Sequence, residues 1–347
     1  MANTVNTKAS PLLVIIAFAT VYIVWGSTYF FIQMAVQGFP PMLMGALRFF
    51  TAGILLLGWC YIKGDKLFVK RDVITSGICG LLTLFVATGI VIWVERNIPS
   101  AMVAIMVSVN PIWFIILDKA NWRINLKNRS TILGLIIGFA GILLLFGEAF
   151  LKSVTGTMDH TKFIGLLLLL AGPIAWSAGS LYSKKRGGTA PARVNTSWQM
   201  IIAGLAFVPA AFIHQEFKEF DPAAVPAQSW MAIIYLVIFG SIGAFSAYIW
   251  LLQVRPATQV STHSYVNPVI AVLLGVCFAH ESISLVQVLG LIVILFSVLL
   301  VNLSKYGKLK FKKPVTAIVT NTDNCDQINT AADLKQIRAL VKIAYRI

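Results

Sequence analysis

Charge is scarce in this chain, and acidic charge scarcest. Only 12% of its 347 residues are charged, with 13 Asp and Glu set against 28 Lys and Arg. A soluble domain covers its surface with roughly 25% charged residues, so water cannot be the only solvent here. Cysteine is also sparse: Cys60, Cys79, Cys277 and Cys325 stand far apart. No C-x-x-C pair and no Cys/His cluster at metal-ligand spacing occurs, which argues against a disulfide framework and a zinc site. These cysteines read as small buried hydrophobes. The chain lacks a G-x-x-x-x-G-K-[ST] phosphate loop, so ATP hydrolysis is not expected of it. It also lacks an H-E-x-x-H pair, since "HESIS" at His280 has no second His. The sequence offers no metal site, no cofactor site and no catalytic cluster, so a membrane-embedded enzyme is the weakest of the readings weighed.

What the chain does contain is apolar length: 58% of residues are hydrophobic and the mean hydropathy is +0.82. A bilayer core about 30 Å thick takes roughly 20 apolar residues per helix. Windows of that size predict ten spans, at 12–34, 41–62, 73–95, 99–119, 130–150, 162–183, 194–213, 229–252, 257–278 and 283–303. The formal charge of +15 could suggest nucleic acid, but the basic residues form short clusters between apolar runs. That arrangement marks membrane orientation instead. With the N-terminus inside, Lys63, Lys66, Lys70 and Arg71, Lys119 to Arg129, Lys184 to Arg193 and the basic tail all fall on the cytoplasmic side. The first span is too long for a signal peptide and lacks a strongly basic lead, so it reads as retained.

The dipeptide Asn-Pro occurs twice inside apolar runs, as "SVNPIW" and "SYVNPVI". Shifting the chain by 157 positions aligns Trp93 with Trp250, Pro99 with Pro256, and Asn110-Pro111 with Asn267-Pro268. The pattern predicts an all-α membrane protein of ten transmembrane helices, built as two five-helix repeats around a central cavity. An odd number of spans makes the second copy lie inverted, a device of secondary transporters. The expected divisions are 1–11 as cytoplasmic N-terminus, 12–150 and 162–303 as the repeats, and 304–347 as a basic cytoplasmic tail. The tail holds an amphipathic stretch suited to a lipid surface.

The segments "VWGSTYFFIQMAV" and "PPMLMGALRFFTAGILLL", with the Pro-led fourth and ninth spans, resemble the drug/metabolite transporter superfamily and its EamA-type permeases. The resemblance covers roughly residues 12–303. It implies a basket of helices around a cavity, with the fifth and tenth at the periphery, in a bacterial inner-membrane exporter.

Candidate cargo contacts are Trp25, Arg48, Asn110, Trp113, Trp176, Tyr265 and Asn267. Arg48 lies about 10 Å inside its span at 1.5 Å per residue, and intramembrane charges commonly face a cavity. Its alternative role is to hold the fold, through backbone carbonyls or Glu95; the 157-residue shift places Leu205 opposite it. Trp25 and Trp176 sit mid-span, where Trp needs a reason beyond interface anchoring: either cargo stacking or core packing. Pro111 and Pro268 each remove a helical hydrogen bond, which predicts kinks either structural or bordering a wet pathway. His263 and Glu95 are candidates for proton coupling, against plainer readings as a helix-to-helix hydrogen bond and a solvated helix end. Gly134, Gly138 and Gly141 read as close helix packing, with a homodimer contact as the alternative.

The expected function is a secondary active transporter that exports amino acids, small metabolites or toxic compounds by alternating access. Its partners are then a small-molecule substrate and membrane lipid, with no nucleic acid. The alternative is a sugar-phosphate or nucleotide-sugar exchanger, which would need more intramembrane cations than Arg48.

Overall fold

Proline sets where many of the helices begin. Pro11 is the first residue of its helix, and Pro40, Pro99, Pro191 and Pro226 stand as N-caps of others. A proline there loses only an N–H that a helix start leaves unbonded anyway, and its fixed φ suits the first turn. The computed structural model describes residues 10–122, 129–154, 159–186, 188–279 and 284–306. The expected tail helix, the turn at His280 and Cys325 lie outside the described residues, as do residues 1–9.

The described residues are helical, with no strand among them. In chain order the principal helices are α1 (Pro11–Val36), α2 (Pro41–Ile62), α3 (Lys70–Val94), α4 (Ser100–Leu117), α5 (Arg129–Val154), α6 (His160–Arg186), α7 (Ala192–Ile213), α8 (Ala227–Val254), α9 (His263–Phe278) and α10 (Leu285–Tyr306). Seven of them, α1 to α4 and α6 to α8, are long and apolar enough to cross a membrane; α5, α9 and α10 hold shorter apolar stretches. The protein is an all-α, multi-pass membrane protein. Large apolar side chains stay exposed on its outer faces, among them Ile15, Leu55, Leu133, Ile136, Leu289, Ile292 and Phe296. In a bilayer these meet lipid rather than water.

Interfaces cross between the two ends of the chain. α1 packs on α8 and α9, while α6 packs on α3 and α4. α2 pairs with α7 more extensively than any other two helices. The α2–α7 pair is antiparallel: Gly53 meets Ile201, Phe50 meets Gly204, and Gly45 meets Phe207. A Cβ on Gly204 would lie 2.5 Å from the backbone nitrogen of Phe50, and one on Gly53 would lie 2.6 Å from Ile201. Only glycine lets the backbones come this close.

The same pair is clasped at both ends. Beyond the C-terminus of α2, Asp65 accepts two hydrogen bonds from Arg193 at the start of α7, at 2.5 and 2.6 Å. Beyond the C-terminus of α7, Glu216 accepts from the backbone N–H groups of Met42 and Leu43 at the start of α2, at 3.2 and 2.8 Å. Asp65 and Glu216 are 151 positions apart, as are Pro40 and Pro191, Gly53 and Gly204, and Trp25 and Trp176. This spacing differs from the 157 that aligns the Asn-Pro segments. It pairs Arg48 with Gln199, not with Leu205; Leu205 is exposed on the outer face.

Two elements depart from regular α geometry at matching places. α3 runs as π-helix over Leu81–Thr88 and α8 over Leu236–Phe245. Shifting the first by 157 positions lays it within the second. π-helical turns are rare and often sit at functional sites. α4 is broken at Ser108 and Val109, so that Pro111 falls in the first turn of its second half. The corresponding break before α9 comes at Ser261 and Thr262, one to two turns upstream of Pro268, which stays inside the helix. Gly138 and Gly141 of α5 face Ser297, Val293 and Ile294 of α10 in the same chain.

Candidate functional site

Both π-helical stretches open onto one cavity. Its wall includes Leu84, Ala87 and Thr88 from α3 and Gly240, Ser241 and Phe245 from α8. α1 supplies Trp25, Thr28, Tyr29 and Ile32; α2 supplies Arg48 and Phe49; α6 supplies Pro173 and Trp176. Asn110 and Val107 flank the break in α4, and His263 and Asn267 come from α9. The cavity volume swept by the centre of a water-sized sphere is about 80 Å³. By that measure one water needs roughly 10–15 Å³, so the cavity suits several waters or one small solute.

Arg48 is the one cation among the described lining residues. It is only 4% exposed, and its Nε donates to Ser241 Oγ at 2.9 Å. Its guanidinium lies 4.8 Å from the Phe49 ring centroid, a favourable cation–π separation. Gly240 makes room for it, since a Cβ there would sit 3.2 Å from an Arg48 terminal nitrogen. Nη1 of Arg48 is buried without a hydrogen-bond partner. Glu95, at the C-terminal cap of α3, is 2% exposed and close enough for its charge to be felt at Arg48 and Tyr29. It is not among the residues lining the cavity.

Trp25 joins the cation to the aromatic wall. Its Nε1 donates to the carbonyl of Gly240 at 3.1 Å, next to the Ser241 that holds Arg48. Its ring meets Trp176 edge-on at 5.3 Å, His263 at 5.1 Å and Tyr248 at 4.8 Å between centroids. These spacings lie in the favoured range for aromatic pairs. Trp176 Nε1 donates to the Tyr248 hydroxyl at 3.0 Å, and Ser180 Oγ lies 2.7 Å from the same oxygen. One turn further along α6 and α8 a second, more polar hollow begins, lined by Asp72, Ser76, Lys184, Asn195 and Gln199. The Trp176–Tyr248–Ser180 layer separates the two spaces. On the side of the hollow, Lys184 of α6 donates to the carbonyls of Leu252 and Arg255 at the end of α8, at 2.7 and 2.5 Å.

The polar residues of α4 and α9 differ in role. Asn110 Oδ1 accepts from Ser177 of α6 at 2.7 Å. The amide of Asn267 is best satisfied with its nitrogen donating to the carbonyls of His263 at 2.9 Å and Tyr22 at 3.2 Å. Its oxygen then accepts from His263 Nδ1 at 3.2 Å. This orientation assigns the imidazole proton to Nδ1 and leaves Nε2 an acceptor, buried and without a partner.

Six of the nine sequence candidates for cargo contact or proton coupling therefore line this cavity: Trp25, Arg48, Asn110, Trp176, His263 and Asn267. Trp113 does not; its ring packs edge-on against Phe139 of α5 at 6.3 Å. Tyr265 lies in α9, with its side chain outside the described residues. Pro111 and Pro268 are buried beside the wall without forming it. The sequence reading missed Tyr29, Thr88, Ser241 and Tyr248. Ser241 carried a signal, because "FGSIGAFSAY" gathers glycine and hydroxyl residues inside a span.

The comparisons with known proteins agree with this architecture. The EamA-like transporter family matches residues 12–147 and again 163–303. The inner membrane transporter YedA of Escherichia coli (strain K12) is 37% identical over 308 residues, covering 87% of this chain and 94% of that protein. The transporter YoaV of Bacillus subtilis (strain 168) is 23% identical over 287 residues, covering 81% and 94%. The protein PecM of Dickeya dadantii (strain 3937) is 24% identical over 304 residues, covering 84% and 93%. A crystal structure with 17% identity superposes at a TM-score of 0.60, covering 84% of this chain and 98% of that one; the likeness is one of fold.

Proposed function

The chain belongs to the EamA-like transporter family and is a membrane transporter, and on that premise we propose that it is a secondary active exporter of small metabolites working by alternating access. The observation that carries this reading is the cavity itself. It lies where α1, α2, α3 and α4 meet α6, α8 and α9, so each half of the chain contributes wall. The exchanged packing of α1 and α6, and the two clasps on the α2–α7 pair, support an arrangement of two inverted five-helix halves with divisions near 12–150 and 162–303. In such an arrangement, swapping the conformations of the halves moves the opening from one membrane face to the other.

The Trp176–Tyr248–Ser180 layer serves as the closed side of the central cavity, and the polar hollow beyond it as the vestibule to the cytoplasm. Trp25, Arg48, Asn110, Trp176, His263 and Asn267 hold the cargo or shape its chamber. His263 and Glu95 are the groups available for coupling transport to protons. The similarity to YedA and the positive charges of the inner loops favour the bacterial inner membrane with both termini cytoplasmic. The sugar-phosphate alternative draws no support from a wall with one cation.

The test is efflux from cells or inverted vesicles loaded with labelled metabolites, with and without a protonophore. Expression of the protein is expected to accelerate loss of a subset of compounds. An uncoupler-insensitive efflux would remove proton coupling, and no acceleration of any compound would sink the exporter reading.

A further inference from the structure

Two buried atoms in the cavity wall have no partner, and they are of opposite hydrogen-bonding character. Arg48 Nη1 is a charged donor; His263 Nε2, with Nδ1 engaged by Asn267, is a neutral acceptor. A buried polar group left unbonded is costly, about 1–3 kcal/mol and more for a charge, so each marks a place where a ligand atom belongs. Trp25 lies between them, bonded on one side to Gly240 beside the Arg48–Ser241 pair and edge-on to His263 on the other. Between the two polar points the wall is apolar and aromatic.

The charge of the wall narrows the ligand further. Among the described lining residues there is no Asp or Glu. Glu95 lies behind the wall, where its charge reaches Arg48 and Tyr29 but its carboxylate does not line the cavity, so an ammonium group would find no carboxylate to touch, whereas an anionic head would touch the guanidinium. Building on the transport reading above, we infer that the cargo is a small monocarboxylate with a flat apolar body and a hydroxyl or N–H donor at its far end. The carboxylate accepts from Arg48 Nη1, a charge-assisted bond and the strongest contact the cavity offers. The ring lies along Trp25, and the distal donor reaches His263 Nε2. The volume of the cavity limits the body to about one ring.

The experiment uses the full-length protein in liposomes, with four labelled probes: para-hydroxybenzoate, benzoate, para-hydroxybenzyl alcohol and phenylalanine. The wild-type protein is expected to carry para-hydroxybenzoate saturably. Benzoate lacks the distal donor and should be about tenfold poorer, the size of one lost hydrogen bond, and the alcohol lacks the charge and should be poorer by about ten- to a hundredfold, the size of one lost charge-assisted bond. Phenylalanine, whose ammonium finds no partner, should be poorest. Arg48→Gln should abolish carboxylate transport while Arg48→Lys restores part of it, and His263→Phe should erase the preference for para-hydroxybenzoate over benzoate. The wild-type panel decides the matter even where an arginine variant does not fold. Transport of phenylalanine or the alcohol in preference to the two benzoates would overturn the inference and leave the transporter standing. Transport of none of the four, with efflux of other metabolites intact, would do the same.

Discussion

Trp25 touches four other rings, of Trp176, Phe245, Tyr248 and His263, and one backbone carbonyl. Replacing it by Phe keeps an aromatic body but removes the hydrogen bond to the Gly240 carbonyl. A hydrogen bond contributes about 0.5–1.5 kcal/mol net, so Trp25→Phe should melt a few degrees below wild type in detergent, and an unchanged melting temperature would show that the bond contributes nothing. At the exposed end of the α2–α7 pair, the hydrogen bond from Arg193 holds the Asp65 carboxyl below its usual range. A carboxylate depressed in the folded state contributes stability above its unfolded pKa and loses it as pH falls through the folded value. The melting difference between wild type and Asp65→Asn should therefore be flat at neutral pH and shrink below about pH 4. A difference that grew on acidification would contradict the assignment.

At the scale of elements, the α2–α7 interface rests on absent side chains. Gly53 and Gly204 stand against neighbouring backbone and a branched side chain, so a methyl group at either has to push the helices apart. Overpacking of this kind costs about 1–3 kcal/mol. Gly53→Ala and Gly204→Ala should each lower thermal stability, whereas Gly58→Ala, whose Cβ would meet nothing within 4 Å, should be neutral or slightly stabilising through helix propensity. Equal melting of all three variants would show that the close approach is not needed. The two π-helical stretches belong to the same scale. Their wider turn, bonded i to i+5, was not legible in hydropathy, because a π segment and an α segment of the same apolar residues read alike. The π segment of α3 packs on α6 and α7, and that of α8 on α1 and α2.

At the scale of the whole molecule, the arrangement proposed places Asp65 and Asp221 on opposite faces of the membrane. In a cysteine-free background, Asp65→Cys is expected to react with an impermeant maleimide only in inverted vesicles, and Asp221→Cys only in whole cells. Reaction of both from one side would remove the inverted halves, and with them alternating access by exchange of the two halves' conformations.

Composition and residue order by themselves determined that this chain lives in lipid, where its helices start, and that Trp25, Arg48, Trp176 and the Asn-Pro segments were worth attention. Those features are local: a bilayer demands long apolar runs with internally bonded backbone, and proline acts on its own turn. The tertiary structure alone decided which of these residues share a cavity. It sent Trp113 to α5, set Arg48 against Ser241, and brought in Tyr248 beside Trp176. The reason is physical: membership of a cavity depends on helix rotation and on crossings between distant segments, set by glycines and aromatic rings that hydropathy cannot tell from any other apolar residue.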